Sequence, residues 1–339
     1  MNTLLSEKLS KRNNTVGIAR VISMFMIIGC HLCSWLGINS LAMILNVGVY
    51  VFLIISGILY SKKTITQPWT FLKKRWCKLC IPMYLLFLLL LIYNIAVSNY
   101  NAIRSVPTYL INLQGLGFII NSLDLPYINE LGHLWFLTVI MLCYMLLVIV
   151  KKIENRISFK ATSVATSMVA FCILDVVFSY TINVQLHYFI AFFIGYILGK
   201  IEERISLRNY LCLSGTMLCA MVIRLIMRIL CDGTITYNSI VVPFTHIVLA
   251  LWIYTTIQYI CRANPDFTAL VAESNVMNWL DGLSLYVYMT HYMFLVGPFC
   301  INMLLCPKFV QLFVFGASTF ISASVLKLLS QKTIQVLFR

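Results

Sequence analysis

Long apolar runs separated by short polar ones set the pattern of this chain. They fall at about 16–36, 41–60, 79–97, 131–150, 161–179, 184–200, 209–230, 239–260, 283–304 and 309–328. Each is close to the ~20 residues a helix needs to cross a hydrocarbon core of about 30 Å. The pattern predicts an all-α polytopic membrane bundle of about ten transmembrane helices over 16–328, with tails at 1–15 and 329–339. A basic opening (Lys8, Lys11, Arg12) precedes an apolar run too long for a signal peptide and without a small-residue cleavage site. That run is therefore read as the first spanning helix. The outer segment 98–130, with Gly115, Gly117 and Pro126, is expected to fold back over the outer mouth. The mildly amphipathic inner segment 261–282 is expected to lie in the interface. No appended soluble domain is expected, and no internal repeat of the transporter kind is evident.

Composition narrows the picture. Hydrophobic residues make up 61% of the chain and charged residues 11%, with a mean hydropathy of +0.90. A soluble domain runs at about half apolar and about a quarter charged. A soluble enzyme, a disordered chain and a fibre are all excluded. The net charge of +14 then orients the bundle. With the N-terminus inside, the inner loop 61–78 holds Lys62, Lys63, Lys73, Lys74, Arg75 and Lys78, and the inner loop 151–160 holds Lys151, Lys152, Arg156 and Lys160. The outer loops hold Arg104 and Lys308 as their basic residues. The positive-inside rule places both termini in the cytoplasm. On this topology the whole positive excess lies on the inner side and the outer half is balanced. The basic excess is thus an orientation signal, and no nucleic-acid partner is expected. It also sets an attractive field for an anionic ligand arriving from the inner side. Cys30 with Cys33 and Cys77 with Cys80 have metal-type spacing, but the pairs are far apart and lie in or beside apolar helices. Neither a metal site nor a disulfide framework is expected.

Titratable side chains inside spanning helices are costly, so each is a functional hypothesis. Arg20 and His31 are 11 residues apart on the first helix. At 100° per residue they share a face, about 16 Å apart along the axis. One helix thus carries a cation at the inner mouth and an acid/base group toward the outer leaflet. The plainer reading has Arg20 snorkelling to lipid phosphate and His31 as a satisfied core histidine. Further polar groups gather in the outer half: Glu130 and His133, Asp175, His187, Arg224 with Arg228, His246, and His291 near mid-membrane. Arg228 and His187 suit interfacial positions. Arg224 lies about 9 Å from the nearest predicted helix end and is harder to dismiss. Glu130, His133, Asp175, Arg224 and His291 are expected to line a polar cavity open to the outside. On the inner side, Lys73, Lys74, Arg75 and Lys78 do not share one helical face. They either record topology or seat a polyphosphate such as the nucleotide end of coenzyme A.

Several blocks resemble a known family. They are Arg20 through His31, Gly48-Val49-Tyr50-Val51-Phe52-Leu53-Ile54-Ile55-Ser56-Gly57, and Phe71 through Pro82 with Met83-Tyr84. His133-Leu134-Trp135-Phe136-Leu137, Phe193-Ile194-Gly195-Tyr196 and Leu283 through His291 follow in order. Together they cover about 16–305 and resemble the acyltransferase-3 family of integral membrane acyltransferases. The resemblance implies transfer of an acyl group, often acetyl, from a cytoplasmic donor to a carbohydrate on the far side. It implies acetyl-CoA or another acyl-CoA as co-substrate, no tightly bound cofactor, and Arg20 and His31 as the donor-handling and catalytic pair. A neutral imidazole can take the proton from an attacking sugar hydroxyl, or carry the acyl group itself. Arg20 would bind donor phosphates or orient the pantetheine arm.

Many carbohydrate O-acetyltransferases of the family follow the Trp-Phe-Leu block with Ser-Val-Glu-x-Gln-Phe-Tyr. Here the run is Thr138-Val139-Ile140-Met141-Leu142-Cys143-Tyr144. It resembles the branch around intercellular-adhesin and enterobacterial-antigen modification, where exporters have also been considered. The expected function is a membrane O-acyltransferase in a bacterial plasma membrane, acting on a cell-envelope glycan or lipid-linked saccharide. The bilayer is its partner, together with a membrane protein or a second copy of the chain. The alternative is a transporter of a small solute or polysaccharide, with Arg224, Arg228 and Asp175 along its path.

Overall fold

Lipid offers no partner to a backbone N–H or C=O, so apolar runs must close their own hydrogen bonds as helices. The computed structural model describes residues 14–97, 99–120, 122–154, 161–201 and 206–337. It is 85% helix, with no strand among the described residues. Seven stretches among them are long and apolar enough to cross a membrane: Asn14–Trp35, Asn39–Ser61, Pro68–Ala96, Asn129–Glu154, Leu207–Cys231, Thr236–Ala263 and Lys308–Leu337. The apolar helices Thr166–Thr181 and His187–Lys200 are shorter.

In chain order the elements are α1 (Asn14–Trp35), α2 (Asn39–Leu45), α3 (Val47–Ser61) and α4 (Pro68–Ala96). The outer segment then forms a 3-10 turn (Tyr100–Ser105), α5 (Val106–Leu110), α6 (Leu116–Ile119) and a second 3-10 turn (Asn129–Leu134). Next come α7 (Trp135–Glu154), α8 (Ala161–Thr181), α9 (His187–Lys200) and α10 (Leu207–Cys231). A π turn (Thr236–Val241) leads into α11 (Val242–Ala263), followed by α12 (Pro265–Glu273), α13 (Asn275–Thr290), a 3-10 turn (His291–Phe294) and α14 (Lys308–Leu337).

Three sequence expectations change. The inner loop 61–78 is a loop only as far as Gln67, because Pro68 opens α4 at a position where its missing N–H costs nothing. Lys73 to Lys78 therefore ride on the first turns of a helix about 43 Å long, which overshoots the hydrocarbon core. The predicted span 283–304 is shifted: α13 runs from Asn275 to Thr290, capped by the Ser274 hydroxyl on the Met277 N–H at 3.1 Å. Its end turns into 3-10 geometry at His291, and Gly297 follows with φ +91. The tail expected at 329–339 continues α14 as far as Leu337.

The bundle is centred on α3, which is buried on nearly every side. It lies directly against α9. A Cβ on Gly57 would overlap the Phe192 carbonyl, and one on Gly195 would overlap the Ile54 carbonyl. Glycine at both positions lets the two backbones touch, as small residues do between membrane helices. By contrast, Arg224 is the one buried residue of α10 among the described residues, so that helix sits on the rim. The segment between α4 and α7 is seated against the bundle. Tyr109 is fully buried and stacks on Phe87 with ring centres 4.5 Å apart. Gln114 Nε2 donates to Asn112 Oδ1 at 2.9 Å and to the Leu134 carbonyl at 3.3 Å. Gly115 N donates to Thr138 Oγ1 at 2.9 Å. These bonds fix the turn that precedes α7.

Candidate active site

Three imidazoles from three separate segments meet near the C-terminal ends of α1 and α13. His31 lies one turn before the end of α1, His133 on the 3-10 turn before α7, and His291 at the C-cap of α13. Ring centres are 5.2 Å apart for His31 and His291, 5.1 Å for His133 and His291, and 6.3 Å for His31 and His133. The Tyr292 ring closes the group at 4.8 Å from His31 and 4.9 Å from His133. His133 and His291 are buried, whereas His31 is partly accessible.

The backbone decides which nitrogen is bare. A carbonyl only accepts, so a ring nitrogen beside one must donate. His133 Nε2 lies 3.2 Å from the Met289 carbonyl, and His291 Nδ1 lies 2.8 Å from the Tyr288 carbonyl. The opposite nitrogens, His133 Nδ1 and His291 Nε2, have no hydrogen-bond partner among the described residues. The Tyr288 hydroxyl donates to the His133 carbonyl and ties α13 to the 3-10 turn. His31 has ring contacts but no hydrogen-bond partner among the described residues.

Toward the N-terminal end of α1, Arg20 Nη1 donates to Asp281 Oδ1 at 2.7 Å. Helices α1 and α13 therefore run in the same direction, with an ion pair toward their N-terminal ends and an imidazole pair at their C-terminal ends. The spacing matches: 11 residues from Arg20 to His31 and 10 from Asp281 to His291. Lys78 lies within electrostatic reach of Arg20, Arg75, Lys63 and Asp281. The Arg75 guanidinium sits 5.3 Å from the Tyr60 ring centre and 5.6 Å from that of Phe71. Lys73, Lys74 and Lys78 are exposed. An anion arriving at the N-terminal end of α1 thus meets a basic rim around a fixed arginine.

The expected acceptor-side group divides in two. Glu130 stays near the histidines, three residues before His133 on the same turn, with its side chain against Gly297. Arg224 and Asp175 go elsewhere. Arg224 Nη2 reaches the Met43 carbonyl at 3.5 Å, and His246 Nε2 contacts the same carbonyl at 2.9 Å. Asp175 accepts from the Leu186 N–H, and its other oxygen lies 3.9 Å from His187 Nδ1. The Tyr50 ring joins the pieces, 5.3 Å from His246 and 6.0 Å from His187. A chain of rings, Tyr188, Trp135, Phe136 and Tyr288, separates this second cluster from His133.

Sequence reasoning missed Asp281, Tyr288 and Tyr292. Asp281 was counted with an inner loop because the ninth span was placed too far along the chain. The tyrosines gave no signal, since an aromatic at helical spacing reads as core.

The family model described as an acyltransferase domain (acyltransferase-3) matches residues 13–327. No curated protein and no solved structure matches the chain.

Proposed function

From the premise that the chain belongs to the acyltransferase-3 family of membrane acyltransferases, we propose that its three-histidine site O-acylates a saccharide. The donor is a cytoplasmic acyl-CoA, with acetyl as the group transferred, and no cofactor is held tightly. The acceptor is a hydroxyl of a cell-envelope glycan or lipid-linked saccharide at the outer face of a bacterial plasma membrane. The nucleotide phosphates rest on Lys78, Arg75 and Arg20, with Lys73 and Lys74 adding field. The pantetheine arm runs up the shared face of α1 toward His31, about 16 Å away.

The reaction is a substitution at the thioester carbonyl. The acceptor oxygen forms the new C–O bond and the C–S bond breaks. His31 takes the hydroxyl proton as the oxygen attacks and returns it to the departing thiolate, leaving an ester and free coenzyme A. His133 and His291 hold bare ring nitrogens beside His31, so the proton has acceptors nearby without a permanent charge being buried. The observation that carries this reading is the convergence of the three rings within 6.3 Å at the end of the helix that carries Arg20.

Transport gains no comparable support. Of Arg224, Arg228 and Asp175, on which it rests, Arg224 and Asp175 are buried and turned to backbone groups.

The test is direct. Purified protein in liposomes, given labelled acetyl-CoA and surface glycan, should form labelled ester. His31→Ala should lower the rate by about a hundredfold to ten-thousandfold while the protein still inserts and accumulates. Full transfer by that variant would sink the mechanism.

A further inference from the structure

The outer face carries an open polar cleft of about 380 Å³, lined in part by Asn94, Asn99, Asn101, Asp124, Tyr127 and Glu130. That volume suits a small-molecule site. Among the described residues the lining is one-sided in charge: two carboxylates and no lysine or arginine. Arg104 shares a 3-10 turn with Asn101 and Ala102, yet it does not line the cleft. Neither Asp124 nor Glu130 has an ion-pair partner among the described residues.

The asparagines are pre-set. Asn94, buried near the outer end of α4, donates to the Leu90 carbonyl at 2.8 Å. Its side-chain oxygen accepts from Asn99 Nδ2 at 2.7 Å. That bond uses an Asn99 donor and leaves its carbonyl oxygen as an acceptor. Carboxylates only accept. The amides of Asn99 and Asn101 can still donate, so it is the two carboxylates that tilt the wall toward a ligand bearing hydrogen-bond donors. Tyr127, 52% exposed, adds an aromatic face for the apolar side of a ring.

The cleft borders the turn that carries His133. Tyr127 lies within electrostatic reach of Tyr292, whose ring is 4.8 Å from that of His31. Glu130 and His133 are three residues apart on one 3-10 turn, where such side chains stack on a single edge.

We infer that this cleft is the acceptor subsite, and that it takes a saccharide face carrying hydroxyl or ammonium groups and no carboxylate, sulfate or phosphate. The inference rests on the acyl-transfer reading for the purpose of the site, but its test needs no acyl transfer. Full-length protein in nanodiscs, without donor, is titrated with three tetrasaccharides of matched length: a free-amine glucosamine oligomer, a neutral glucose oligomer and a galacturonic acid oligomer. Saturation-transfer NMR reads the binding. The amine and neutral oligomers should bind, the amine more tightly, and the uronate at least about tenfold more weakly than either. Asp124→Asn combined with Glu130→Gln, which keeps side-chain shape, should bring the three affinities to within about twofold of one another. Equal binding of the uronate in the unaltered protein overturns the inference. So does an order that survives the double variant, or binding of none of the three. Transfer from labelled acetyl-CoA by the same preparation is measured separately. A preserved binding order without transfer defeats the proposed function and leaves the saccharide site standing.

Discussion

An imidazole nitrogen is useful as a proton acceptor when its ring is held still and its lone pair is left alone. His133 and His291 meet both conditions, because each donates its other nitrogen to a carbonyl of α13. This gives a way to separate holding from chemistry. A glutamine side chain can reproduce the Nε2 donor of His133, and an asparagine can reproduce the Nδ1 donor of His291. We expect His133→Gln and His291→Asn to keep the fold, read as an unchanged melting temperature in detergent. Each should lower the acyl-transfer rate by about tenfold to a hundredfold through loss of the bare nitrogen. Full activity in either variant would make that histidine a strut and nothing more. At this scale the sequence was partly legible. His31, His133 and His291 stand out because a titratable group inside an apolar run is costly and therefore rare. His133 and His291 were expected to share one cavity, but their meeting with His31 was not legible, since helical spacing relates residues along one helix and says nothing of its neighbours. Arg224 shows the limit from the other side. It stood out for the same reason, yet it is held against the Met43 carbonyl, away from the three rings.

Apolar length predicted most of the helices, because an apolar run in lipid has no alternative to the helix. Boundaries were less legible. A polar stretch such as Lys73 to Lys78, beginning in the second turn of α4, looks like a loop on a hydropathy trace although it is helix. The early start of α13 rests on a single cap, Ser274. Helix contacts can be argued from glycine. Gly57 and Gly195 lie where two backbones meet, so Ala at either position must push α3 away from α9. We expect Gly57→Ala or Gly195→Ala to cost about 1–3 kcal/mol, the usual range for overpacking, and to lower yield and melting temperature together. Gly215 on α10 and Gly316 on α14 have open space where a Cβ would go. Ala at those positions should be neutral or stabilising by about 0.5–1 kcal/mol, as in any helix interior. A matched loss at all four sites would show that close approach at α3 and α9 is not the reason for glycine there.

Over the whole molecule, the charge distribution read from the sequence ties topology to substrate. If the basic side is cytoplasmic, an acyl-CoA diffuses toward a surface carrying the entire excess of +14, while the acceptor approaches a balanced outer half with an acidic cleft. Such a field acts over a Debye length, about 30 Å at 0.01 M salt and about 3 Å at 1 M. Donor capture should therefore weaken as salt rises, because most of the basic rim lies outside contact distance of any one phosphate. Capture of a neutral acceptor should not change. In proteoliposomes we expect the KM for acetyl-CoA to rise by about tenfold between those two salt concentrations, with kcat nearly constant. The KM for a neutral oligosaccharide should stay flat. Replacing exposed Lys73 and Lys74 with Gln should flatten the salt slope for the donor and leave the rate at saturating donor unchanged, because these side chains supply field rather than contact. A donor KM independent of salt would mean that Arg20, Arg75 and Lys78 bind it by short contacts alone. The +14 would then report membrane orientation and have no part in catalysis.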